Sequence, residues 1–196
     1  MHPTPFLVFD LDGTLSDPAV GIGRSINYAL AHFGYATIAD EDVSQAIGPP
    51  LDVTFATLSG SASPAHVAEL VFKYRERYAD VGYAENVLYA GIPEALEALA
   101  TAGVPMGVCT SKRADFAERI LKLFSLRQHF QFVSGGDIGV LKRQQLADLL
   151  AQEQIAPTST MVGVLWGHGS EAELTRAGPA RLLTSPHQLV ELVSLL

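Results

Sequence analysis

The stretch "PFLVFDLDGTLSD", Pro5 to Asp17, decides how this chain is read. Its first half, Pro5 to Asp10, is a short β-rich apolar run ending at polar residues, the pattern of a strand buried on both faces of a parallel sheet. Its second half sets two carboxylates, Asp10 and Asp12, on either side of one leucine and directly before the turn-forming Gly13. Two anions so close repel each other unless a cation or a bound ligand makes use of them, so the pair asks for a third party.

Outward from this strand the pattern first turns helical. Asp17 followed by Pro18 reads as an N-cap with proline at the first helical position, opening an amphipathic segment that runs to about Phe33 and stops at Gly34. Asp40 is a second start signal, and Ser63 with Pro64 a third, opening "AHVAELVFKYRERYADVG". From Asp17 to Tyr89 no convincing strand interrupts the helical patterns. The prediction is an inserted helical cap over 17–89, carried by a core made of 1–16 and 90–196.

Beyond the insert, "GIPEALEALATAG" is a helix ended by Gly103, and "VPMGVCTSK" is an apolar strand ending in hydroxyls and a lysine. A helix over about Ala114 to Phe124, a short strand in "QFVSGG", a helix from about Lys142 to Glu153 and the strand "TMVGVLWG" follow, and "PHQLVELVSLL" closes the chain with an amphipathic helix. Helices alternating with near-continuous apolar strands predict an α/β fold built on a doubly wound parallel sheet. There is no internal repeat and no low-complexity tract.

Composition bounds the partners. At 196 residues there is room for one core domain and a smaller insert, and an apolar fraction of 48% with 17% charged residues describes an ordinary folded protein with a large core. A net charge of -8 and no dense Lys/Arg stripe speak against nucleic acid. The lone Cys109 has no partner for an internal disulfide, and the N-terminus lacks a basic region followed by a long apolar stretch. No window reaches roughly 18 uninterrupted apolar residues. The expectation is a cytoplasmic monomer or homodimer that meets a small molecule and no membrane.

In doubly wound sheets ligands bind beyond the carboxyl ends of the strands. That singles out Asp10 and Asp12 after the first strand, Thr110, Ser111 and Lys112 after the second, and Lys142 at a helix start. A carboxylate is a competent nucleophile towards phosphorus, which suits Asp10. A second carboxyl two residues on suits general acid and base work, first protonating a leaving alkoxide and then deprotonating water; that is Asp12. A hard cation such as Mg2+, which takes one or two carboxylates plus phosphate oxygens, would offset the repulsion, so Asp10 and Asp12 are also the metal candidates. Phosphoryl transfer further needs placed donors. The candidates are the Leu11 to Gly13 backbone, with Gly13 and Thr14 in its loop, the hydroxyls of Thr110 and Ser111, and the Lys142 ammonium. Singly each has a plainer reading, as a solvated turn, a hydroxyl bonding its own backbone or a surface lysine. The ordered combination at strand ends and a helix start reverses that.

At these residues the chain resembles a known family. "FDLDGTLSD" is similar to the first motif of the haloacid dehalogenase (HAD) superfamily of phosphohydrolases, "VCTSK" to the second with Thr110 as its hydroxyl residue, and Lys142 to the third-motif lysine. "AIGPPL", "YRERY", "LYAGIPEALEAL" and "GVLWGHGSEAELTRAGPARLLTSPHQLVELV" resemble the phosphoglycolate-phosphatase-like subfamily, so the likeness covers nearly the whole chain. The resemblance implies a Mg2+-dependent phosphatase acting through an aspartyl-phosphate on a small phosphorylated metabolite, with 2-phosphoglycolate the first guess. It also implies a cap whose Gly48 to Leu51 loop, Gly48 and Pro49 foremost, helps select the substrate. The lysine without a following proline and the segment "GVLWGHGS" are similar to nucleotidase-like relatives.

The chain departs from the family at its fourth motif, G-D-x-x-x-D, whose acids hold Mg2+ between one strand and a later strand ending G-V-x-W-G. Here "TMVGVLWG" runs from the start of the first into the end of the second, with the joint near Gly163 and no acid between Ser159 and His168. Parallel strands need a crossover of roughly a dozen residues, so one strand and one helix of the core are absent and a sheet edge is left bare. Asp10 and the backbone carbonyl of Asp12 then lack their usual carboxylate partner. Asp137 is the nearest substitute by topology, although a turn residue in "GGDIG" is its plainer reading; Glu171 and Glu173 have the look of a first helical turn, where acids are favoured. His168, Cys109 and Trp166 read as structural. Two alternatives stay open: a catalytically impaired relative that binds a phospho-ligand or a partner protein, and a gap that belongs to the cloned sequence alone.

Overall fold

The computed structural model describes residues 6–136, 142–153 and 160–195; Asp137 lies outside them. The strands are β1 (Leu7–Phe9), β2 (Ser16–Asp17), β3 (Val87–Leu88), β4 (Met106–Cys109), β5 (Val133–Ser134), β6 (Val162–Val164) and β7 (Arg181–Leu183). The helices are α1 (Ala19–His32), α2 (Leu51–Ser59), α3 (Pro64–Asp80), α4 (Ile92–Thr101), α5 (Ala114–Leu123), α6 (Lys142–Gln152) and α7 (Glu171–Arg176). The chain divides into two compact units, Met1–Asp17 with Leu88–Leu196, and Pro18–Val87.

In the first unit β1, β4 and β5 form a parallel sheet in the order β1-β4-β5, with Phe9 opposite Val108 and Val108 opposite Val133. All four residues of β4 are buried, as a strand covered on both faces requires. α4 buries Ile92, Ala95, Leu96 and Leu99, the spacing of one helical stripe. Together with Leu11, Leu15, Met106, Ile120 and Leu121 these make the core, each large aliphatic side chain contributing about 1.5–3 kcal/mol on burial.

β6 pairs in parallel with β7, Gly163 opposite Leu182, and not with β1. Among the described residues β1 carries a ladder on one edge only, and the parallel strands fall into two separate sheets. The ladder-free edge of β1 among the described residues agrees with the bare sheet edge expected from the short connection at "TMVGVLWG".

In the second unit α1 packs on α3 around Ile26, Leu30 and Leu70. Ser63 caps α3 by accepting from the His66 N–H. Arg77 donates to both oxygens of Glu85, at 2.8 and 3.0 Å, and Arg24 donates to it at 2.7 Å. These guanidiniums hold the Glu85 carboxyl below its usual range.

Several elements differ from the sequence-based expectation. Asp17 does not cap α1, since its carboxylate is drawn to His168 and Pro18 occupies the cap without a side-chain bond. The Asp40 start signal opens a 3-10 helix, Asp40–Ala46, and the C-terminal segment Pro186–Leu195 is also 3-10. β3 falls inside the stretch read as helical throughout, and β7 was not anticipated.

Candidate active site

The loop after β1 is shaped by one carbonyl. Leu11 O accepts from the N–H groups of Thr14, Leu15 and Ser16 at 3.2, 2.9 and 3.1 Å, and Gly13 N–H donates to Ser16 O at 2.9 Å. Gly13 closes this turn at φ 75°, a left-handed backbone that side chains other than glycine's disfavour. The Gly13 and Thr14 amides, expected to cradle phosphate, are thus engaged inside their own loop. The Thr14 carbonyl accepts from the Trp166 indole N–H at 3.0 Å, and a Cβ on Gly167 would stand 2.0 Å from Gly13 O. The loop after β6 therefore lies directly against the first-motif loop.

On this scaffold the structure brings Asp10, Asp12, Thr110 and Lys142 together. One oxygen of Asp10 accepts from the Leu11 N–H at 2.8 Å, and the other is ion-paired with Lys142 at the start of α6. Asp12 pairs with Lys112 at 2.9 Å through Oδ2, while its Oδ1 is buried and has no hydrogen-bond partner among the described residues. Burial pushes the Asp12 carboxyl above its ordinary range, against the opposing pull of Lys112. Thr110, 1% exposed at the end of β4, accepts from the Lys112 N–H at 3.2 Å, the local bond its plainer reading foresees, which leaves its O–H to donate. Ser111 is exposed.

Residues without an assigned role also shape the site. The Lys112 side chain is 8% exposed and is the counter-ion of Asp12. Gln145, one turn after Lys142 and 8% exposed, donates through Nε2 to Thr110 O (3.2 Å), Ser134 O (3.1 Å) and Ser134 Oγ (3.1 Å). It ties α6 to the carboxyl ends of β4 and β5, and so fixes the helix that presents Lys142 to Asp10. His168 Nε2 lies 3.0 Å from Asp17 Oδ1. Burial first, then the charges of Asp17 and Asp12, push the Tyr89 phenol up to about 12. Burial also raises the Cys109 thiol, so the strand cysteine stays protonated and is a core residue. Spacing could have flagged Gln145, three residues from a singled-out lysine on one helix face; nothing in the local pattern marks Tyr89.

Gly48 and Pro49 belong to the second unit. Gly48 has φ 107° with nothing near the position of a Cβ, and Pro49 lines a cavity of about 300 Å³ with Asp42, Gln45, Val53 and Thr54.

The donor set can be tested against a divalent ion. Asp10 and Asp12 are each already paired with an ammonium, and among the described residues no group of three or more His, Cys, Asp or Glu side chains could hold a metal. Glu173 is not a spare ligand: it closes a capping box with Ser170 at the start of α7. These residues do not fit a resident Mg2+ ion.

Residues 7–163 match the family model of the haloacid dehalogenase-like hydrolases. The chain belongs to that family. Within it, the chain is 36% identical to a 5'-nucleotidase of Pseudomonas aeruginosa, covering 89% of each, and 28% identical to a phosphoglycolate phosphatase of Photobacterium profundum, covering 97% and 96%. It is 37% identical to the tyrosine-protein kinase PtkA of Mycobacterium tuberculosis over 80% of this chain but spans only 54% of that protein's length. The PtkA structure superposes with a TM-score of 0.79 at 31% identity, over 97% of this chain and 99% of the other. The family match stops at Gly163, the joint identified above. The 5'-nucleotidase alignment runs over 200 positions, against the about 174 residues that 89% of 196 amounts to, so about 26 positions of the relative face no residue here. No helix of the described residues is long and apolar enough to cross a membrane.

Proposed function

We propose that the chain is a phosphatase that hydrolyses a small phosphomonoester, 2-phosphoglycolate or a compound close to it, through an aspartyl-phosphate. The observation that carries the reading is the pairing of a half-buried nucleophile candidate, Asp10, held by Lys142, with a carboxyl two residues on whose second oxygen is buried and has no hydrogen-bond partner among the described residues. An oxygen of Asp10 attacks phosphorus, the P–O bond to the alkoxide breaks, and Asp12 gives that oxygen its proton. Asp12, now a carboxylate, takes a proton from water as the water oxygen attacks phosphorus, which frees Asp10 and releases inorganic phosphate. Lys142, Lys112 and the Thr110 O–H balance the charge of the transferred group. Gly48 and Pro49, in a helical unit that serves as the cap, contribute to substrate choice.

HAD phosphatases generally use Mg2+; here the Asp10 and Asp12 carboxylates are each paired with an ammonium, and no step above is routed through a metal. A nucleoside 5'-monophosphate is the second reading, favoured by the 36% identity with the 5'-nucleotidase across 89% of both chains. Turnover of a panel containing 2-phosphoglycolate, nucleoside 5'-monophosphates and other phosphomonoesters tests both. The expected result is release of phosphate that drops about a thousandfold or more in an Asp10→Asn variant. Equal release by that variant would dismiss the assignment.

A further inference from the structure

The question posed by Asp10 and Asp12, two like charges side by side, has an answer in the structure that is not a metal ion. Lys142 pairs with Asp10 and Lys112 with Asp12, so two carboxylates face two ammoniums. The Lys112 side chain is 8% exposed, and its ammonium is paired with Asp12 at 2.9 Å. A divalent cation entering here would meet two ammoniums, and among the described residues both first-loop carboxylates are already ion-paired.

The stretch where the family resemblance leads one to expect a further acid carries none. No acid stands between Ser159 and His168, the family match ends at Gly163, and about 26 positions of the 5'-nucleotidase alignment (200 against about 174 residues) face no residue of this chain. In the space beside the first-motif loop stand Trp166, Gly167 and His168, with His168 engaged by Asp17. An incoming phosphate-type oxyanion competes with the two carboxylates for the two ammoniums and, unlike a cation, also accepts from the Thr110 O–H, all at the carboxyl ends of parallel strands.

We infer that this site holds a tetrahedral phosphoryl oxyanion through Lys142 and Lys112 without a resident divalent ion. The inference rests on the phosphatase reading for the identity of the anion, and it departs from that family's general use of Mg2+.

The chain carries its own reporter. Trp166 is the single tryptophan, and its indole donates to the first-motif loop at Thr14 O, so its fluorescence senses occupancy of the site. Inorganic phosphate and orthovanadate are titrated in excess chelator and again in excess Mg2+, while Mn2+ binding to the free protein is read by electron paramagnetic resonance. The expected result is saturable anion binding in chelator with a Kd within about threefold of the Mg2+ value, weakened about tenfold or more by Lys142→Met and by Lys112→Met. Lys112→Arg, which keeps the charge, retains binding and guards against reading a folding defect as a lost ligand. Free Mn2+ is unperturbed by the protein. One tightly bound Mn2+ in the free protein, or anion binding that appears only with Mg2+, overturns the inference and leaves the phosphatase reading standing. Absence of anion binding under both conditions overturns the two together.

Discussion

Tyr89 shows how single side chains carry the electrostatics of the site. Its phenol is pushed from 10.0 up to about 12 by burial and by the carboxylates of Asp17 and Asp12. A group whose folded value is raised contributes stability that is fully present below its unfolded value and is lost as pH rises through the folded one. Stability should therefore fall as pH climbs from 10 towards about 12. Phenolate absorbance during a pH titration should contain a late component near about 12 that Tyr89→Phe removes and that Asp17→Asn brings earlier by removing a nearby negative charge. A titration curve whose late limb is the same in the Tyr89→Phe variant would refute this. At the same scale, Asp10, Asp12, Thr110 and Lys142 were legible in the sequence because each sits at a strand end or a helix start. Lys112, Gln145 and Tyr89 were not given their roles, because those depend on partners far along the chain: Gln145 reaches Thr110, 35 residues away, and Tyr89 feels carboxylates across the insert.

Among the elements, α6 is tied to the ends of β4 and β5 by the Gln145 side chain. Gln145→Leu removes the donor that serves Thr110 O and Ser134 O and leaves both carbonyls without it, which should cost about 1–3 kcal/mol in urea unfolding. Because α6 carries Lys142, the same variant should also weaken phosphate binding; unchanged stability together with unchanged binding would show that α6 is placed by other contacts. The loop after β6 is the second such element. Gly167→Ala sets a Cβ 2.0 Å from Gly13 O, so the first-motif loop must move, and turnover should fall about tenfold or more with the helical unit still folded. Wild-type turnover in that variant would separate the two loops functionally. The long elements α3, α4 and α5 were read within one or two residues because an apolar stripe, a cap or a terminating glycine marks each end. β2 and β3 have two residues apiece, too few to leave a period, and Asp17 looked like a cap because only the folded chain brings His168 to it.

At the scale of the whole molecule, an α/β core of this family brings the ends of β1 and β4 together with the start of α6. The short connection and the bare sheet edge were legible in the sequence, because parallel strands cannot be joined by the few residues present. The sequence did not show that β6 would pair with β7, apart from the β1-β4-β5 sheet of the described residues. The proposed mechanism makes Asp10 the nucleophile, and that step would leave a covalent trace. Rapid quenching during turnover of 2-phosphoglycolate, followed by peptide mass spectrometry, measures it directly. The account predicts a hydroxylamine-sensitive phosphoryl group on Asp10, absent from the Asp10→Asn variant. Steady turnover with no phosphorylated Asp10, or with the phosphoryl group on another residue, would contradict it.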